Sequence, residues 1–512
     1  GFVVSTYGQT KSYEVVFNSR VFDDRLAPQS YLSQRALNRR EKAGISLTWR
    51  DQPIPETHLK AVRKIASVSG PHSKWLNAMY VEATTQEVLL LEELSFVQYV
   101  RTLQGGTIIN EEPIPTLDYG YSLDQTEQIS LHQGPHAFGF LGQNMLIAVL
   151  DAGFVGANSV TISDTLSLLL TKNWVNGGSN VFQGSSHGFS VLSTMASNLS
   201  GTFVGTAPKA TYMLLKTEAE NSETPVEMYN WVAAAEFADS VGADVINSSL
   251  GYYEFDDPAD NYTVSQLDGR TSVISLGALH AARAGMLVVT SAGNEGGGPW
   301  NKITFPADTD SILTVGSVNQ YGTVSAFSSR GYSADGRVKP NVCARGEGAA
   351  VFRSDGVIAY GNGTSFSSPI LAGACASLWQ SVPEATAQEV LRAVEVSASH
   401  FYSRNERIGY GVPNLAFAQK YLQNVVLGLE AEVIVYPNPF ADNLELFLPD
   451  SEALDIELDL RDLNSRTVAS SILYGKRYQA LWSPGNEVPA GVYILYLRRG
   501  GIEQRIRVIK TI

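Results

Sequence analysis

The 512-residue sequence predicts an α/β protein: a doubly wound, mostly parallel sheet, flanked by a small α+β domain before it and an antiparallel β-sandwich after it. Three observations predict this. Between residues 145 and 318 short apolar runs alternate with helical stretches, the pattern of a sheet covered on both faces. Before residue 103 the order is strand, helix, strand, helix, strand. Beyond residue 431, alternating segments are separated by Pro, Gly, Asn and Ser, as in a small sandwich.

In the first domain, "YEVVFN" (13–18), "WLNAMYVEA" (75–83) and "FVQYVRT" (96–102) read as strands of an antiparallel sheet. Helices are expected over 30–43 and 85–94, the second with apolar residues on one face. The Gly- and Pro-rich stretch 104–123 then reads as an exposed connection, which places the first domain at 1–118. The central domain, 119–425, carries the apolar runs 145–153, 210–216, 244–251, 285–294 and 312–318. "YNWVAAAEFADS" and "SLGALHAARAG" read as helices between them. In such folds functional residues gather at the carboxyl ends of strands. The last domain, 432–512, shows alternation in "DNLELFL", "LDIELDL" and "GVYILYLRR".

Charge separates these regions. Residues 1–118 are neutral, with 13 basic and 13 acidic side chains, whereas 119–430 carry 15 against 27 and 431–512 carry 9 against 11. An acidic central domain argues against a nucleic-acid partner, since phosphate binding needs a basic footprint. Docking between the neutral first domain and the acidic second is expected to rest on shape and apolar contact. No apolar run approaches the ~18 residues of a membrane span. The first ten residues lack an initiator Met and a basic start, as expected of a chain already trimmed or truncated. The two cysteines, Cys343 and Cys375, lie in apolar or small-residue settings and read as buried free thiols, with a disulfide as the alternative.

Three element ends in the central domain present groups suited to nucleophilic catalysis. Asp151 follows "IAVL", His187 opens "HGFSVLSTMA" and Ser365 follows "GNGT". A hydroxyl attacks a carbonyl well when a base removes its proton and a carboxylate orients that base. Taken singly, each residue reads as a cap, a turn residue or a structural histidine. The order Asp, His, Ser along the chain distinguishes one solution to this chemistry from others. At Ser365, Gly361 and Gly363 permit a tight turn, and Pro369 is expected in an early helical turn where its missing N–H costs little. The serine then sits at a helix start, whose free N–H groups favour a developing oxyanion.

"VLDAG", "SHGFSV" and "GTSFSSP" resemble the three active-site motifs of the subtilisin-like serine peptidases. The resemblance implies a secreted serine endopeptidase with a triad of Asp151, His187 and Ser365. It assigns Asn294 of "SAGNEG" to the oxyanion hole, beside the Ser365 N–H. It also assigns Ser249, Leu250 and Gly251, with Ser291, Ala292 and Gly293, to the substrate cleft, where an extended peptide would add as a strand. Departures from the family pattern stand at scaffold positions: Phe189 for Thr, Tyr332 for Pro and Asn341 for Asp.

Residues 13–102 look like the inhibitory propeptide of subtilases, so cleavage is expected between Leu103 and Leu123. The last region, with "YPNP", "DLNSRTVAS" and "VPAGVYILYLRRGG", is similar to the type A sorting domains of type IX secretion in Bacteroidota. That implies delivery outside the cell or to its surface by the secretion machinery. Proteins and peptides are the expected substrates, and no cofactor is required. Asp256, Asp257 and Asp260 offer oxygen ligands suited to calcium, against the competing reading of a solvated acidic loop. No H-E-x-x-H zinc spacing occurs. Two other classes share the shell: a catalytically silent surface binding protein, and an acyl transferase or peptide cyclase working through the same acyl-enzyme.

Overall fold

A computed structural model describes residues 11–68, 71–102, 117–160, 165–220, 222–427, 433–436, 440–448, 453–463, 465–476, 479–485 and 487–511. The chain divides into two compact units, Gly1–Leu415 and Ala416–Ile512.

The first unit opens with a four-stranded antiparallel sheet, in the order His72–Ser73, Ala78–Ala83, Lys11–Phe17, Val97–Thr102. Helices α1 (Gln34–Lys42), α2 (Glu56–Val62) and α3 (Thr85–Glu92) accompany it. A capping box starts α3: Thr84 and Glu87 each accept the other's backbone N–H. The expected strand 75–83 begins only at Ala78. Asn77 adopts the left-handed conformation (φ 58°) and its Nδ2 donates to the carbonyls of Phe17 and Asn18, so a turn precedes the strand. Helix α2 was not expected from the sequence. Most of the expected cleavage segment, residues 103–116, lies outside the described residues.

The central sheet has seven parallel strands in the order Val342–Arg345, Leu313–Val318, Leu287–Ser291, Val245–Ser248, Leu146–Asp151, Thr211–Lys216, Leu168–Asn173. The sequence reading missed the two edge strands, which lack the long apolar runs of the interior. Strand Leu146–Asp151 is buried throughout and marks where the winding direction reverses, the place at which open α/β sheets put their sites. Helices α5 (His187–Ala196) and α8 (Thr364–Gln380) pack together and against the sheet, as do α6 (Val226–Val241) and α7 (Val273–Arg283). Helices α4 (Leu123–Gln128) and α9 (Ala387–Val396) also belong to this unit.

Trp75, in the turn before strand Ala78–Ala83, and Tyr80 of that strand join the core built from Leu150, Leu215, Trp231 and Val288, so apolar contact does help hold the α+β region in place. Local ion pairs add to the expected apolar contact. Arg39 and Arg40 of α1 are buried against Asp239 of α6, and Arg35 pairs with Asp244. Glu236 of α6 accepts N–H bonds from Lys74 and Trp75, each at 2.9 Å, and a hydroxyl from Ser73. Neutral overall charge concealed this local complementarity.

The second unit contains two antiparallel sheets, Ile434–Tyr436 with Leu444–Phe447 and Gln479–Trp482, and Thr467–Lys476 with Leu454–Arg461, Gly491–Arg499 and Ile502–Lys510. Leu444, Leu446 and Trp482 of one share a core with Leu458, Leu460, Leu495 and Leu497 of the other. Inward residues alternate with outward ones, as two layers facing one core require. Part of the "YPNP" motif, residues 437–439, lies outside the described residues.

Candidate active site

The candidate residues meet at the carboxyl edge of the central sheet. Asp151 ends its strand, fully buried, and its Oδ1 accepts the Ala152 N–H at 3.0 Å. His187 is the first residue of α5, and its Nδ1 lies 2.8 Å from Asp151 Oδ1. Burial pushes the imidazole well below its ordinary range, so the ring is neutral and able to accept a proton. Burial drives the Asp151 carboxyl upward, opposed by backbone N–H donors. Phe189, where the resemblance calls for Thr, is fully buried and fills the space that a side chain on Gly156 would need. Asn341 bonds Glu395, Thr314 and Lys339, and Tyr332 lies exposed in a short antiparallel pair.

Ser365 is the second residue of α8, behind Gly363 at the N-cap. Pro369 is the sixth helical residue rather than part of the first turn, which corrects the sequence reading. An N–H at that position would have bonded the Ser365 carbonyl. The Ser249 hydroxyl donates to that carbonyl instead, at 2.9 Å, while Ser365 Oγ donates to Ser249 O at 3.4 Å. The missing helical bond thereby ties the serine to the end of strand Val245–Ser248.

Asn294 lies just past strand Leu287–Ser291. Its Oδ1 accepts from Thr364 N at 2.9 Å and from Thr364 Oγ1 at 3.1 Å, which fixes the amide orientation. A Cβ built on Gly363 would stand 3.7 Å from Ser365 N and 3.8 Å from Asn294 Nδ2. Ser365 N and Asn294 Nδ2 therefore both lie within van der Waals reach of one point at the start of α8.

Ser249, Leu250 and Gly251 follow one strand, and Ser291, Ala292 and Gly293 end and follow the next. Sequence reasoning missed Thr304, which stands behind both segments. Its N–H donates to Ala292 O at 3.1 Å. A Cβ on Gly251 would meet Thr304 Oγ1 at 2.1 Å, and one on Gly293 would meet the same oxygen at 2.9 Å. Thr304 is 3% exposed, and its Oγ1 has no hydrogen-bond partner among the described residues. No local signal in "NKITFPAD" marks it, because its place depends on two chain reversals.

Asp257 caps Ala259 N at 2.9 Å and Asp256 accepts the Glu223 N–H at 3.0 Å. Among the described residues no group of three His, Cys, Asp or Glu is arranged to hold a metal ion. Cys343 and Cys375 are free and buried, and burial pushes both thiols up to about 12. No helix among the described residues is long and apolar enough to cross a membrane.

A doubly wound sheet with a histidine-carboxylate pair and a serine at its carboxyl edge is the arrangement of a serine hydrolase. Residues 142–411 match the Subtilase family, so this chain belongs to the subtilases, peptidase family S8, and is a subtilisin-like serine peptidase. Residues 13–113 match the Peptidase S8 propeptide domain of Bacteroidota. The chain is 28% identical over 344 residues to subtilisin E of Bacillus subtilis (strain 168), covering 66% of this chain and 80% of that protein. It is 29% identical over 289 residues to subtilisin of Bacillus pumilus, covering 55% of this chain and 92% of that protein. In fold it resembles the epidermin leader peptide processing serine protease (EpiP) of Staphylococcus aureus, with a TM-score of 0.56 at 18% identity. That match covers 81% of this chain and 98% of the other.

Proposed function

We propose that the chain is a secreted serine endopeptidase working through Asp151, His187 and Ser365. His187 Nε2 takes the Ser365 hydroxyl proton as Oγ bonds the substrate's carbonyl carbon, and Asp151 holds the Nδ1–H tautomer. The carbonyl oxygen, now negative, sits between Asn294 Nδ2 and Ser365 N–H. His187 then returns its proton to the leaving amine, and a water deprotonated by the same nitrogen releases the acyl group as a carboxylic acid. The peptide lies along 249–251 and 291–293, with Thr304 under its side-chain pocket. No cofactor enters these steps.

Two observations support this reading: the Asp151–His187 pair at 2.8 Å, and the nearness of Ser365 N and Asn294 Nδ2 to one point at the N-cap of α8. A fluorophosphonate is expected to label the matured wild type and not Ser365→Ala, with peptide hydrolysis lost in parallel. Activity of Ser365→Ala within tenfold of the parent overturns the assignment. Mass spectrometry of products separates hydrolysis from transfer to an amine.

The propeptide domain is read as the inhibitor of this site, removed by a cut between Leu103 and Leu123. Residues 432–512 are read as the signal for type IX secretion to the exterior or cell surface, supported by a compact unit that supplies no member of the site. Deleting them is expected to leave peptidase activity intact and to stop surface delivery in the native host. Loss of catalysis in a folded truncation overturns that division of labour.

A further inference from the structure

Helix α1 binds in an unusual way. A helix docked on a protein surface ordinarily buries an apolar stripe. The buried residues of α1 are Ala36, Arg39 and Arg40. Arg39 and Arg40 are 5% and 2% exposed, and Asp239 beneath them is 0% exposed. An open cleft of about 710 Å³, bordered by Arg35, Lys42, Asp244 and Trp379, runs beside the helix, so close apolar packing does not surround it.

The guanidinium groups instead read the carboxyl ends of two helices. Arg39 donates to Ala243 O at 2.5 Å, to Ala284 O at 3.0 Å and to Asp239 Oδ1. Arg40 donates to both Asp239 oxygens, at 2.9 and 2.7 Å, and to Asp51 Oδ1 at 2.8 Å. Arg35 adds Gly242 O at 2.7 Å and the Asp244 carboxylate. Gly242 is the C-cap of α6 and Ala284 that of α7. Helix ends expose carbonyls without intrahelical partners and carry partial negative charge, so a forked, permanently cationic side chain suits them.

We propose that the carboxyl ends of α6 and α7, with Asp239 and Asp244, form a binding site for a pair of arginine side chains. Its occupancy by Arg39 and Arg40 is an anchor separate from blockade of the cleft, and it sets how long the severed propeptide stays bound. The inference rests on the reading of residues 1–118 as an inhibitor. Because the pair is buried, its hold resists salt. Because Asp239 and the carbonyls together need several N–H donors in a plane, lysine cannot replace arginine there.

The test uses the full chain with Arg39→Gln plus Arg40→Gln, and with Arg39→Lys plus Arg40→Lys. Both pairs lie in the part removed on maturation, so the matured peptidase is identical to wild type in sequence and in kcat/KM. After self-cleavage, the lag before full activity measures propeptide residence. The glutamine pair is expected to shorten it by at least ~30-fold, the effect of leaving a buried charge unpaired, and the lysine pair by at least ~5-fold. Residence within twofold of wild type for both overturns the proposal. If the glutamine chain fails to fold, an unchanged lag in the lysine chain does the same.

Hydrogen exchange of residues 34–42 in the Ser365→Ala chain gives a reading independent of inhibition. Both variants are expected to exchange there at least ~5-fold faster, with 78–83 unchanged. Full activity of the uncut wild-type chain defeats the inhibitor reading, yet leaves this second measurement to judge the arginine site.

Discussion

Asp151 Oδ1 lies 2.8 Å from His187 Nδ1, which leaves Nε2 as the nitrogen free to serve as base. Catalysis requires that nitrogen unprotonated. Burial lowers the imidazole's affinity for a proton, so the ring stays neutral to a lower pH than a free histidine does. The acid limb of kcat/KM for a neutral peptide is therefore expected below pH 6.5. A limb above 7 in a folded enzyme shows that the charge of Asp151 outweighs burial at His187. Asp151→Asn, which replaces the acceptor by an amide able to favour the wrong tautomer, is expected to lower kcat by ~10⁴.

Gly363 offers a test of the oxyanion geometry that leaves every reacting group in place. Its φ of 161° is ordinary extended backbone, so alanine introduces no strain there. The added methyl projects toward the point shared by Ser365 N and Asn294 Nδ2. Gly363→Ala is expected to lower kcat by ~10²-fold, comparable to losing one oxyanion donor, with the melting temperature little changed. Parental kcat in this variant places the oxyanion elsewhere.

The junction around Ser365 was legible because its causes are local: small residues that free the backbone, then a helix start. The strand ends at Asp151 and Asn294 were legible for a similar reason, since a buried parallel strand is a continuous apolar run. What escaped were relationships made only by folding. Thr304 reaches the cleft because strands bring Gly251 and Gly293 to either side of it, and nothing in its neighbours announces this. Arg39 and Arg40 carry no local signal of burial, and their partner Asp239 lies about two hundred residues further on. The exact role of Pro369 was also hidden, because the hydroxyl that replaces its missing N–H comes from Ser249.

Thr304 Oγ1 lies against both Gly251 and Gly293, the segments proposed to hold the substrate. Removing its hydroxyl and methyl enlarges the space between them and deletes a buried oxygen without a partner, so stability should hardly fall. Thr304→Ala is expected to raise the kcat/KM ratio for Phe over Ala at the residue before the cut by ~10-fold, the scale of one or two methylenes in a pocket. An unchanged ratio across a peptide library shows that Thr304 does not bound the side-chain pocket.

Glu236 makes docking of the propeptide depend on pH in a definite direction. Burial raises its carboxyl to about 7, only partly offset by Lys74, Ser73 and the N–H groups of Trp75 and Lys74. Undocked, on the surface of α6, it would titrate near the ordinary 4.5. The docked state thus binds the proton more tightly, so this group's contribution is fully present below about 4.5 and is lost as pH rises through about 7. Asp239 has the opposite sense: burial raises it, Arg39 and Arg40 more than reverse that, and its contribution is lost as pH falls below the ordinary 3.8. His280, lowered to about 4 by burial beside Trp75, opposes docking as pH falls below its ordinary 6.5. Comparison with Glu236→Gln cancels these other groups. In the Ser365→Ala background, hydrogen exchange of residues 72–83, corrected for intrinsic rates, is the measure. Between pH 5 and 8 the opening constant is expected to rise ~10-fold or more in the parent relative to Glu236→Gln. A constant ratio across that range shows that Glu236 keeps its charge when docked, and that the three donors outweigh its burial.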